Sequence, residues 1–109
     1  LMASGMNGQG FAFHGYLPVK QEPRAEALRR LEAQSLRSGH AQMFIETPYR
    51  NESMLATILA SCHPETRVCI AADLTAPAES IATHTVLEWR RRDASRYARR
   101  PAIFILQAD

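Results

Sequence analysis

Glu46 closes a mostly apolar run, Ala41 to Glu46, and is followed at once by Thr47-Pro48-Tyr49-Arg50. A carboxylate at a strand end beside a helix N-terminus is the way α/β proteins build a ligand crevice, because both present polar groups to one space. Glu46 is therefore the best candidate for contact with a reacting group. A plainer alternative is that Glu46 only pairs with Arg50 at i,i+4 spacing while Thr47 only caps the helix. Asp73, Thr75 and Glu79 follow the next apolar run and make a second polar edge, with ordinary turn chemistry as their alternative.

Other chemistries find little support. His14, His40, His63 and His84 lie more than twenty positions apart, so none forms the short pairing that presents two ligands to one metal, and no metal is expected. There is no G-x-S-x-G elbow, and Gly8-Gln9-Gly10 lacks both the preceding strand and the spacing of a phosphate loop. Six arginines, Arg90, Arg91, Arg92, Arg96, Arg99 and Arg100, fall within eleven residues. Such a run is either a solvated face or a phosphate-binding patch, since the guanidinium fork matches phosphate oxygens.

These groups sit in a chain of 109 residues, 46% hydrophobic and 22% charged, with a formal charge of +2. That composition fits one globular domain with one core, so any partner domain must lie outside it. Cys62 and Cys69 lack CxxC spacing, which makes a reduced, cytoplasmic setting the expectation. The longest apolar stretch, Ala102 to Leu106, is far short of the roughly twenty residues that cross a bilayer. The opening Leu1-Met2-Ala3-Ser4-Gly5-Met6 reads as the end of an apolar helix closed by glycine, as in a piece of a longer protein.

The elements that must hold the candidates follow from periodicity. Phe11, Phe13 and Gly15 alternate with Ala12 and His14, predicting a short strand that ends at Tyr16-Leu17-Pro18. Pro23 to Ser38 carries Leu28, Leu31 and Ser35 at helical spacing with Gly39 beyond, predicting a surface helix. Ala41 to Glu46 is a second strand, and Thr47-Pro48 predicts a helix beginning immediately, with Leu55, Ile58, Leu59 and Cys62 facing inward until His63-Pro64 stops it. Arg67 to Leu74 reads as a largely buried strand, Ser80 to Thr85 as its weaker hairpin partner and Val86 to Asp93 as a helix. The unbroken apolar run Ala102 to Leu106 predicts a strand covered on both faces by helices, hence central. The order implies an α/β domain with a mixed, parallel and antiparallel sheet packed with helices.

Read in order, these segments resemble the C-terminal domain of the tetrapyrrole methylase superfamily, closest to its branch that methylates small-subunit ribosomal RNA. Leu1 to Gly5 is similar to the family's helix ending Ser-Gly-Leu, and Phe11-Ala12-Phe13-His14-Gly15-Tyr16-Leu17-Pro18 to its Phe-x-Phe-x-Gly-Phe-Leu-Pro strand. Phe44-Ile45-Glu46-Thr47-Pro48-Tyr49-Arg50 resembles Phe-Tyr-Glu-Ser-Pro-His-Arg, Ala71-Ala72-Asp73-Leu74-Thr75 stands for Ala-Arg-Glu-Leu-Thr, and Pro101 to Gln107 resembles the closing strand. Basic residues of the family are replaced here by Ala72 and Ala76, and its Arg-Gly-Thr-Leu appears as Thr83-His84-Thr85-Val86.

The resemblance implies that residues 1–9 are a remnant of an interdomain helix and linker, that 10–109 form a C-terminal methyltransferase domain, and that the domain with the glycine-rich cofactor loop is absent. It implies S-adenosyl-L-methionine as cofactor, met by Phe44, Ile45, Glu46, Ala71, Ala72, Asp73, Pro101 and Ala102, with Glu46, Arg50, Thr75 and Glu79 toward the substrate. A homodimer, ribosomal RNA as partner, and a fragment inactive by itself are further implications. The missing basic residues keep a tetrapyrrole or other small acceptor open, and a non-catalytic binding or dimerisation module is the third reading.

Overall fold

The computed structural model describes residues 10–73, 77, 79–92 and 97–108. The expected remnant at 1–9, together with Leu74, Thr75, Ala76, Asp93 and Arg96, lies outside the described residues. The elements in chain order are β1 (Phe11–Tyr16), α1 (Gln21–Ser38), β2 (Ala41–Ile45), a 3-10 turn (Pro48–Arg50), α2 (Asn51–Ser61), β3 (Arg67–Ala72), β4 (Ser80–Thr85), α3 (Val86–Trp89) and β5 (Ala102–Gln107).

One five-stranded sheet runs in the order β1-β2-β5-β3-β4. β1 and β2 are parallel, joined through α1, whereas β2–β5, β5–β3 and β3–β4 are antiparallel. The mixed α/β sheet is thus as the sequence predicts, with β5 central and β3–β4 a hairpin. Strand alternation divides the side chains between two faces. On one, Leu28 and Leu31 of α1, Met54, Leu55 and Ile58 of α2 and Val86 and Trp89 of α3 meet Phe44, Val68, Ile70, Ala72, Phe104 and Leu106. Phe44 and Phe104 stack at 5.6 Å, and the Trp89 indole donates to the Val68 carbonyl at 2.8 Å, satisfying its only polar group.

The opposite face carries a smaller apolar cluster drawn from strands alone, Ala41, Cys69 and Ile105 with Met43 and Ile103. The expected helical cover of β5 is therefore found on one face among the described residues. Phe11 and Phe13 of the edge strand β1 share this second face, paired in register with Ala41 and Met43, and both are more than half exposed.

Local chemistry sets the boundaries. α1 begins at Gln21, two residues before Pro23, which still lies in the first turn where its missing N–H costs nothing. It ends at Gly39, whose φ of 76° is the left-handed C-cap glycine favours, with its N–H donating to the Ser35 carbonyl. The helix expected immediately after Pro48 starts as a 3-10 turn and becomes α-helical only at Asn51, and Thr47 makes no side-chain cap. Instead its hydroxyl accepts from Arg50 Nη2 at 3.0 Å. α3 is a single turn rather than reaching Asp93; Thr85 and Glu88 form a reciprocal capping box at its start, but Trp89 is its last residue, and the arginines beyond have no apolar face to bury.

Candidate functional site

A cleft of about 480 Å³ opens where the C-terminal ends of β1, β2 and β3 meet the start of β5. Tyr16, Ile45, Glu46, Pro48, Ala71, Asp73, Pro101, Ala102 and Ile103 line it. Six of the eight residues implied as cofactor contacts, Ile45, Glu46, Ala71, Asp73, Pro101 and Ala102, are thus brought together from three separate segments. Phe44 and Ala72 are not. Each is fully buried on the helix-covered face, because it is one residue out of phase with the side chains that line the cleft.

Glu46 is organised differently from the expectation that it contacts a reacting group. Its Oε1 accepts from the Thr47 N–H at 2.7 Å and from Arg50 Nε at 3.2 Å, and its Oε2 accepts from Arg24 Nη2 at 3.0 Å. The side chain is only 1% exposed, so what Glu46 offers the cleft is backbone. The i,i+4 pairing with Arg50 is present, and a second, buried arginine is added to it.

Arg24 is the residue that sequence reading missed. It is 1% exposed and donates to the Pro18 carbonyl, to Ser53 Oγ and to Glu46, tying the entrance of α1, the start of α2 and the end of β2 into one knot. The available signal was its position one turn before Leu28 on the stripe Leu28, Leu31, Ser35.

Arg50 leaves the knot toward solvent, with its guanidinium 4.7 Å from the Tyr49 ring centre and Nη1 donating to the Tyr49 hydroxyl. Hydrogen bonding to Glu46 is the main influence raising its pKa above the ordinary value, with Tyr49 adding to it, so it is a permanent cation. Neither Arg50 nor Glu79 lines the cleft, and Glu79 is exposed.

Asp73 supplies the cleft's accessible carboxylate. It turns the chain out of β3 with a φ of 52°, donates its N–H to the Pro101 carbonyl at 2.8 Å, and pairs through Oδ2 with Arg100 Nε. Among the described arginines of the run, two are engaged with protein partners. Arg90 is spent on the Leu59 carbonyl, which its Nη2 reaches at 2.8 Å, Arg100 is paired with Asp73, and Arg91, Arg92 and Arg99 are exposed.

The remaining polar groups have structural work. A larger cavity of about 540 Å³ lies between α1 and the turn at His63–Thr66, but there Glu32 Oε2 already accepts from the His63 N–H and the Thr66 hydroxyl. His14 bonds Gln42, and His84 meets Trp89 edge-on. Burial pushes the Cys62 thiol up to about 12, with Glu32 adding to the effect, and raises Cys69 as well, so neither is a nucleophile near neutrality. Among the described residues no group of three His, Cys, Asp or Glu side chains could hold a metal ion, and no helix is long and apolar enough to cross a membrane.

Comparison with known proteins places this geometry. No family model matches the chain. Ribosomal RNA small subunit methyltransferase I from Neisseria meningitidis serogroup B is 33% identical over 88 residues, 81% of this chain and 28% of that protein. The protein of the same name from serogroup A matches over the same 88 residues at the same identity. The chain therefore spans little more than a quarter of the length of the curated relatives it matches, 28%.

Among solved structures the fold recurs in the methyltransferase CobJ, at a TM-score of 0.59 and 17% identity over 97% of this chain and 44% of that one. Cobalt precorrin-4 methyltransferase CbiF gives 0.60 and 13%, covering 97% and 46%. Uroporphyrin-III C-methyl transferase from Thermus thermophilus, complexed with S-adenyl homocysteine, gives 0.54 and 16%, covering 97% and 48%. In sequence the chain is similar to part of these ribosomal RNA small subunit methyltransferases, and in fold to part of these solved methyltransferases.

Proposed function

We propose that this chain is the C-terminal part of an S-adenosylmethionine-dependent methyltransferase, and that the complete protein methylates a ribose 2′-hydroxyl of small-subunit ribosomal RNA in the cytoplasm. The observation that carries the reading is the cleft at the strand ends, lined by segments whose motifs carry the resemblance. Its residues fit the cofactor. Ala71 and Ala102 are small enough for a ligand to approach the strand backbone, Ile45 and Ile103 give it an apolar wall, and the Asp73 carboxylate can accept from hydroxyl or amino groups. S-adenosylmethionine, when bound, supplies a methyl group on a sulfonium.

The protein's share of such a reaction is largely to hold donor and acceptor in line and keep water out. Glu46 and Arg24 act here as positioning residues, fixing the strand end from behind, and Arg50, Thr75 and Glu79 remain candidates for the acceptor side. This chain supplies one wall only, so alone it is expected to transfer no methyl group. Labelled methyl transfer by the complete protein to small ribosomal subunits, with the label mapped to a 2′-O-methyl nucleotide, tests the reading. Subunits left unlabelled would sink it.

The fold relatives favour one second reading, since the three solved structures described above are methyltransferases whose names, where they state a substrate, refer to tetrapyrroles. Label appearing on a uroporphyrin-type substrate instead of RNA would select that alternative. A homodimer is part of the proposal as well. The half-exposed Phe11 and Phe13 on the edge strand support it, and a solution mass of twice the monomer's tests it.

A further inference from the structure

Two non-glycine residues among those described take positive φ, Asp73 at 52° and Arg99 at 60°; Asp73 lines the cleft, and Arg99 is bonded through its backbone to a residue that does. Aspartate tolerates this region because its short side chain bonds locally, but an arginine gains nothing from it. Arg99 is held there from both sides. Its N–H donates to the Pro48 carbonyl at 3.2 Å, and the next residue, Arg100, pairs with Asp73, whose own N–H reaches the Pro101 carbonyl. Pro48, Asp73 and Pro101 all line the cleft, so the backbone of Arg99 is pinned to its rim.

The side chain is exposed and has no hydrogen-bond or ion-pair partner among the described residues, in contrast to Arg24, Arg50, Arg90 and Arg100. Glycine would fit this backbone without strain. A strained residue over-determined by its surroundings, beside a ligand cleft, with its charged end unengaged by any described residue, is the pattern of a binding residue rather than of a structural one.

The geometry points to Arg99 as the residue that grips a backbone phosphate of the acceptor RNA at the entrance to the cleft. The guanidinium fork matches two phosphate oxygens, and its place beside Pro48 and Pro101 sets the strand's distance from the site rather than its sequence. This inference rests on the reading of the acceptor as RNA. A small polycarboxylate acceptor would also meet an arginine, but the similarity that extends over most of the chain at 33% is to an RNA methyltransferase.

The test compares the complete protein with its Arg99→Gly and Arg99→Lys variants, using naked small-subunit ribosomal RNA as probe over a range of sodium chloride concentrations. Losing one phosphate contact should lower the slope of log affinity against log salt by about 0.7 to 0.9, and weaken binding on the order of fivefold at physiological salt. Arg99→Lys should retain the slope. Arg99→Gly should melt no lower than the parent protein, since it removes strain. An unchanged slope in Arg99→Gly, with a salt-dependent parent, overturns the role of Arg99 and leaves the RNA reading standing. A parent protein that binds this RNA without salt dependence overturns both.

Discussion

Two strand ends on the same cleft each carry a carboxylate answered by arginine, and they are built in opposite ways. Glu46, after β2, is closed off: its side chain is 1% exposed and it accepts from Thr47, Arg50 and an equally buried Arg24. Asp73, after β3, stays open, with its side chain 17% exposed, Arg100 24% exposed and its backbone in the left-handed region. Identical chemistry at equivalent places thus serves a structural purpose in one case and leaves a group available to a ligand in the other. Burial makes the difference. Water competes for Asp73 and lets it exchange partners, whereas Glu46 cannot leave Arg24 without stranding a charge in the core.

The contrast is broken or sharpened most directly by Glu46→Ala. Removing one partner of a buried pair typically costs about 3–5 kcal/mol, so the variant should unfold at much lower denaturant than the parent protein. A cost under about 1 kcal/mol would mean that Glu46 is not the structural member of the two. Asp73→Asn keeps a side chain that tolerates positive φ and loses only a partly exposed ion pair, so its stability should change by less than about 1 kcal/mol. Its signature is expected in function, a loss of cofactor affinity of about tenfold in the complete protein by calorimetric titration, in line with one charge-assisted hydrogen bond. If Asp73→Asn destabilises and leaves affinity intact, the roles are reversed.

Glu88 is the exposed extreme of the series. The hydrogen bond from the Thr85 N–H is the chief influence holding its carboxyl below the ordinary value of 4.5. A depressed carboxylate contributes stability above its unfolded value, and that contribution is lost as pH falls through the lower folded value. Melting temperature should therefore decline slightly as pH falls below about 4.5, and Glu88→Gln should flatten that part of the curve; an identical acid slope in the variant would remove the cap from the account.

Much of this was legible in the sequence, and the failures have particular causes. The run from Ala102 to Leu106 announced a central strand because nothing polar interrupts it, and Gly39 marked the end of α1 through the one residue type that favours its φ. The segments that line the cleft were named from their motifs, yet Phe44 and Ala72 were included with them. A strand's two faces differ by a single step, and which face meets the helices depends on tertiary pairing that a local pattern does not encode. Arg24 was missed because an arginine in a first turn is usually solvated, and only the fold reveals that Glu46 lies opposite it. α3 was drawn too long because helical propensity continues through the arginines while the apolar stripe stops at Trp89.

β5 comes last of the five strands along the chain yet lies in the middle of the sheet, between β2 and β3. During synthesis, the β1–α1–β2 unit and the β3–β4 hairpin can each pair locally, but the seam between them waits for β5. Until then two strand edges stand open side by side, a template for pairing between nascent chains rather than within one. The final strand thus acts as a latch inserted between two finished halves, and shortening it by even a few residues is expected to turn an ordered assembly into an aggregating one.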